Sequence, residues 1–138
     1  MKTLLLSVAL TLSVLLSTAQ DQKHTITVTI DNVQGDKGSV AFGLHTKDTF
    51  MKSAPIATIQ SKSENGVVQV TFENVTPGEY AILVLHDTNE NGKMDFQENG
   101  MPLENFAASN NVMSYGPPQY NDAKFMVTNA DLDLKIRF

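Results

Sequence analysis

The sequence predicts an all-β domain: a single antiparallel β-sandwich of about seven strands, with a long ordered loop after its central strand. Three observations lead there. Short runs alternating apolar and polar residues recur along the chain, the period that buries one strand face and wets the other. Turn residues (Gly, Pro, Asn, Asp) punctuate these runs at close intervals. Almost no stretch beyond residue 20 carries a helical period.

Taken in order, Lys23 to Ile30 sets Ile26, Val28 and Ile30 against Thr25, Thr27 and Thr29, a half-buried strand. Asn32 to Gly38 reads as a hairpin turn. Ser39 to His45 points Val40, Phe42 and Leu44 inward. Its small residues Ala41 and Gly43 leave the other face open to close approach. Lys47 to Ala54 predicts a short helical turn ended by Pro55, and Ile56 to Gln60 a brief edge strand. Asn65-Gly66 is a strong hairpin signal. After it, Val68, Val70 and Phe72 share a face. Pro77-Gly78 fits the centre of a tight turn. Tyr80 to Leu85 is apolar on both faces, which places it centrally. Residues 90–121 form a connection long enough to imply function or disorder. Asp122 to Thr128 is a further strand. In the last one, Leu132, Leu134, Ile136 and Phe138 alternate with charged residues.

The 138 residues suffice for one domain, taken as 20–138. Residues 1–19 read as a secretory signal peptide: Lys2, an apolar run from Leu4 to Leu16, then Ser17-Thr18-Ala19 before a cut ahead of Gln20. That run is short of the ~20 residues a bilayer span needs, so no membrane span is expected and the chain is placed outside the cell or in the periplasm. Without Lys2 the chain has 9 basic and 15 acidic residues, a net charge of −6. Such a surface disfavours nucleic acid, whose affinity rests on Lys and Arg at phosphates. With no cysteine there are no disulfides, thiol catalysis or thiolate-held metal.

Chemistry concentrates in His86 to Glu98, H-D-T-N-E-N-G-K-M-D-F-Q-E, which matches D-x-[DN]-x-[DN]-G-x5-E. Calcium takes 6–8 hard oxygen ligands, and a short loop must turn sharply to converge them. Asp87, Asn89 and Asn91 would give side-chain oxygens and Lys93 its carbonyl. Asp95 would reach the ion directly or through water, and Glu98 would close the shell. Gly92 accepts the positive φ the bend needs. The residues before it read as a strand rather than a helix, which makes it a strand-flanked, EF-hand-like loop and argues against a true EF-hand. The same composition also suits a strand-linking turn that binds nothing.

Phe72 to Val84, with Pro77-Gly-Glu-Tyr80 at its centre, resembles the F-x-x-[LV]-x-P-G-x-Y segment of transthyretin-like sandwiches, including carboxypeptidase regulatory domains. A longer resemblance is to the exported bacterial family called domain of unknown function 2141. It runs through Pro77-Gly-Glu-Tyr80, His86 to Asp95, Gly100-Met-Pro-Leu-Glu104, Ser109-Asn-Asn111, Gly116-Pro-Pro118 and Asp122-Ala-Lys-Phe125. The resemblance implies an exported sandwich and brings no activity. In the family pattern the recurrent acid matches Glu104, and the position of Glu98 is apolar. Glu104 is therefore the alternative last ligand. The pattern also implies that Ser109-Asn110-Asn111 holds the long loop against the cation site.

The expected function is a secreted, non-catalytic module whose calcium loop orders its neighbour. One alternative is a carbohydrate- or protein-binding accessory module using Phe106, Tyr115 and Tyr120 of the 101–120 stretch. The other is a metal-assisted hydrolase built on His86. It lacks a visible nucleophile–base pair, so no catalytic residue is assigned. His24 and His45, like His86, sit on separate predicted strands. Met51, Met94, Met101 and Met113 fall in loops and turns, as core plugs or as an adaptable binding surface.

Overall fold

The computed structural model describes residues 22–112 and 116–138; the stretch read as a signal peptide, Met113 and Tyr115 lie outside the described residues. Among the described residues there are eight strands: β1 (His24–Ile30), β2 (Ser39–His45), β3 (Ala57–Ser61), β4 (Val68–Val75), β5 (Gly78–Asp87), β6 (Phe106–Ala108), β7 (Phe125–Val127) and β8 (Leu132–Lys135). A 3-10 turn covers Ser109–Asn111, and one helical turn, α1, covers Tyr120–Ala123. One sheet runs β4-β1-β8 and the other β3-β2-β5-β6, with β7 also paired to β5. The all-β sandwich read from the sequence is the observed architecture. No described helix is long and apolar enough to cross a membrane.

The core lies where period-2 alternation put it. Ile26, Val28 and Ile30 of β1 and Val68, Val70 and Phe72 of β4 face Val40, Phe42 and Leu44 of β2 and Ile82 and Val84 of β5. Tyr80 closes the core at the β4–β5 corner, and its hydroxyl donates to the Thr76 carbonyl at 2.8 Å. β3 is an edge strand, and β5 is interior, between β2 and β6.

Four expectations need correction. Asn32 to Gly38 is not a hairpin turn, because β1 and β2 belong to opposite sheets. Asn65-Gly66 does make its tight turn, with φ of 51° and 77° and a Glu64–Val67 bridge. The flanking strands then diverge to different sheets: a turn signal fixes a local bend and not where its arms go. Asp122 and Ala123 are helical rather than extended, and the strand begins at Phe125. The pairing is not wholly antiparallel. β8 lies parallel to β1, with Ile26 opposite Leu132 and Val28 opposite Leu134. A parallel pair needs a long crossover, and here the whole of the other sheet intervenes.

The outer faces of the two sheets differ. On the β1 sheet that face is polar, with Thr27 and Thr71 hydroxyls 3.2 Å apart and Gln69 donating to Thr29. On the β5 sheet it carries Ala81, Leu83 and Leu85, with Phe106 and Ala108 alongside on β6. Water cannot be left on such a stripe without cost. Phe50, Tyr120 and Ala123 cover its first half. At Gly43 on the same face, an added Cβ would come within 3.3 Å of His45 and of the Pro55 ring, so the close approach predicted there is by side chains.

His45 ends β2 under this cover. It is 5% exposed, with Nδ1 3.1 Å from the Thr49 hydroxyl and its ring edge-on to Phe50. Burial holds its pKa below the usual 6.5. The unfolded chain therefore binds this proton more readily, and stability falls as pH drops below 6.5. The melting midpoint should be lower at about pH 5.5 than at about pH 7.5, and His45→Asn should shrink that difference. An equal difference in the variant would show that His45 does not couple protonation to folding.

Candidate functional site

The site begins at Asp87, the last residue of β5. Ser39 of β2 pairs beside it, and its side chain is 1% exposed. A carboxylate so buried must accept hydrogen bonds. Its two oxygens take the backbone N–H of Asn91 at 3.2 Å and of Gly92 at 2.8 Å. These bonds curl residues 87–92 into a hook. The curl needs left-handed backbone at Glu90 (φ 56°) and at Gly92 (φ 80°).

The other predicted ligands fall into the same cluster. Asn89 donates its amide to Asp95 at 2.7 Å, and Asn91 donates to both Asp95 oxygens at 2.9 and 2.8 Å. The Asn89 and Asn91 side-chain oxygens accept from the main-chain N–H of Asn91 and Lys93 respectively. Glu104 is 7% exposed. It accepts from the Thr88 N–H at 3.0 Å, the Thr88 hydroxyl at 3.3 Å and the Asp95 N–H at 3.3 Å. Asp87, Asn89, Asn91, Asp95 and Glu104 thus meet in one hydrogen-bonded network. Glu98 does not join them. It sits exposed near the tip of a hairpin closed by Phe96–Pro102 pairing, where Gly100 N–H meets the Gln97 carbonyl. Of the two candidates for a last ligand, Glu104 is the one at the hook.

No three His, Asp or Glu side chains among the described residues converge closely enough by themselves to hold a metal ion. A cation here would need the carboxamide oxygens of Asn89 and Asn91 and a main-chain carbonyl such as that of Lys93. Both amides now turn N–H toward Asp95 and would have to rotate to offer oxygen. That donor set, hard oxygens around carboxylates, suits calcium rather than a softer metal.

Two supports of the hook were not legible in the sequence. Gly38 (φ 71°) lies against it so tightly that a Cβ would stand 2.0 Å from the Asp87 carbonyl oxygen. His86 Nε2 is 2.9 Å from the Lys37 carbonyl, 49 residues away, and its ring stacks on Phe138. His86 is 2% exposed on the inner face opposite Val40, so its ring plugs the end of the core. No local pattern could announce either contact, because both depend on the 31–38 crossing. Ser109, Asn110 and Asn111 act elsewhere than the resemblance implied. Ser109 binds Ile82 N–H and the Ala123 carbonyl. Asn110 donates to the Asp122 and Lys124 carbonyls. Asn111 pairs with Lys135 and Arg137 of the last strand and its extension. They stitch β6 to α1 and β8.

Gly38→Ala should destabilise the fold by about 2–4 kcal/mol, adding a backbone clash to the left-handed penalty. Gly35→Ala, at a similar φ of 79° but in open space, should cost only about 1 kcal/mol. Equal losses in chemical denaturation would mean that the 31–38 segment does not brace the hook.

The sequence profile described as "Uncharacterized protein conserved in bacteria (DUF2141)" matches residues 28–135. No curated protein and no solved structure matches the chain. The likeness to transthyretin-like sandwiches therefore rests on the corner around Pro77, Gly78 and Tyr80 alone. The profile spans both sheets, the hook and the stitching turn, and the chain belongs to the DUF2141 family of uncharacterized bacterial proteins.

Proposed function

We propose that this chain is an exported, non-catalytic β-sandwich module in which one calcium ion occupies the hook and fixes the long connection that follows β5. The observation that carries this reading is the gathering of Asp87, Asn89, Asn91, Asp95 and Glu104 into a single network. Asp87, Asn89, Asn91 and Asp95 would supply side-chain oxygens, Lys93 its carbonyl, and Glu104 the position first given to Glu98. Three carboxylates held in one network repel one another, and a divalent cation relieves that repulsion. Extracellular calcium modules bind at ~10⁻⁴–10⁻³ M, which suits a loop exposed to the medium. Export rests on the leader read at residues 1–19.

The position of His86 supports the non-catalytic reading. Its ring is packed against Phe138 and bonded to a main-chain carbonyl, with no room left for a substrate. The aromatic-platform alternative finds less support: Tyr120 is packed edge-on against Phe50 at 5.6 Å and 67°, which leaves Phe106 as the one exposed ring of the alternative among the described residues.

Calcium at about 100 times its dissociation constant should stabilise the chain by about 2.7 kcal/mol, raising the melting midpoint reversibly with chelator. Asp95→Asn should abolish the shift and Glu98→Gln should leave it intact. Glu104→Gln should lower the midpoint even in chelator, since its one remaining acceptor oxygen can serve Thr88 or Asp95 but not both. A midpoint indifferent to calcium, with no heat of binding, would remove the proposal.

A further inference from the structure

Beyond the hook, the half of the apolar stripe on the β5 sheet that lies past the Phe50 cover faces, among the described residues, a cleft of about 670 Å³. Leu83 and Leu85 of β5 and Phe106 of β6 form its floor. Met94, Phe96 and Met101 from the hairpin form one wall, and Met51, Pro117 and Pro118 the other. We infer that this cleft is a binding site for a small, uncharged, hydrocarbon-rich molecule such as a single medium-length alkyl chain.

Three features of the cleft select that occupant. Its size lies within the roughly 300–1,000 Å³ usual for small-molecule sites. Among the described residues every lining side chain is apolar and none is charged, in a chain whose domain carries a net charge of −6. A sugar would leave its hydroxyls unpaired there, and an ionic ligand its charge. Finally, Phe96, Met101 and Met51 stand 59%, 58% and 56% exposed around the cleft, a cost that a contiguous patch repays only when something covers it. A second copy of the chain is a poor cover. Two concave faces meeting across a two-fold axis leave a void, and among the described residues the other large exposed apolar side chains (Ile56, Val67, Leu103, Met126) offer no ridge to fill it. Three flexible thioethers suit a ligand of variable shape. Cleft binding uses no residue of the hook.

The test is titration of the exported chain with the neutral fluorophore N-phenyl-1-naphthylamine, in buffer containing calcium so that the hook's state is held constant. Saturable binding is expected, displaced by 1-decanol and not by maltose. The Phe96→Ser/Met101→Gln double variant, changed only at exposed positions, should bind about tenfold more weakly with an unchanged melting midpoint. Val67→Gln, an exposed apolar site outside the cleft lining, should bind as the parent does. No saturable binding, equal affinity in the double variant, displacement by maltose, or a dimer that excludes the probe would each overturn the assignment. None of these results bears on calcium, which the melting experiments judge separately.

Discussion

The structure turns on a carboxylate that cannot reach water. Asp87 ends the interior strand, and the pairing that buries its neighbours buries it too. A charge in that position must be answered by donors or by a cation. The chain answers with the N–H groups of Asn91 and Gly92, which forces residues 87–92 to curl. Once curled, they bring Asn89 and Asn91 onto Asp95, and Glu104 ties Asp95 back to Thr88. The hook and the hairpin beyond it thus follow from one buried acid.

A second constraint shapes the far side of the same strand. Alternation along β5 puts Ile82 and Val84 in the core, so Ala81, Leu83 and Leu85 must face outward. An ordinary two-layer sandwich would wet that face. Here Phe50, α1, the hairpin at residues 94–102 and Pro117-Pro118 build a partial third layer over it. Ser109, Asn110 and Asn111 bond it to β5, α1 and the last strand. Among the described residues the cover thins beyond Leu83, and the cleft lies over Leu83 and Leu85. The hook and the cleft share the hairpin: Asp95 and Glu104 hold its base, while Phe96 and Met101 project from its arms.

Much of this was legible in the residues. Period-2 alternation identified the core faces of β1, β2 and β4 because one-sided burial writes itself directly into strand sequence. The calcium-loop pattern found four of the clustered side chains, since Asx and Gly residues at that spacing have few ways to fold. Pairing partners were less legible. The bend at Asn65-Gly66 was correct, but whether its arms join or part is settled by distant strands. The parallel register of β8 and the helical turn at Asp122 were missed for the same reason. Gly38 gave no local sign, because its need for a bare Cα comes from Asp87, far along the chain. Glu98 matched the pattern by spacing alone, and the hairpin at residues 95–103 carries it to solvent while returning Glu104 to the hook.

The most direct test of the central claim is a crystal structure determined with calcium in the mother liquor. A single anomalous peak is expected within about 2.3–2.6 Å of oxygens from Asp87, Asn89, Asn91, Lys93, Asp95 and Glu104, with both amides rotated to present oxygen. A hook without that peak, its amide nitrogens still directed at Asp95, would contradict the claim.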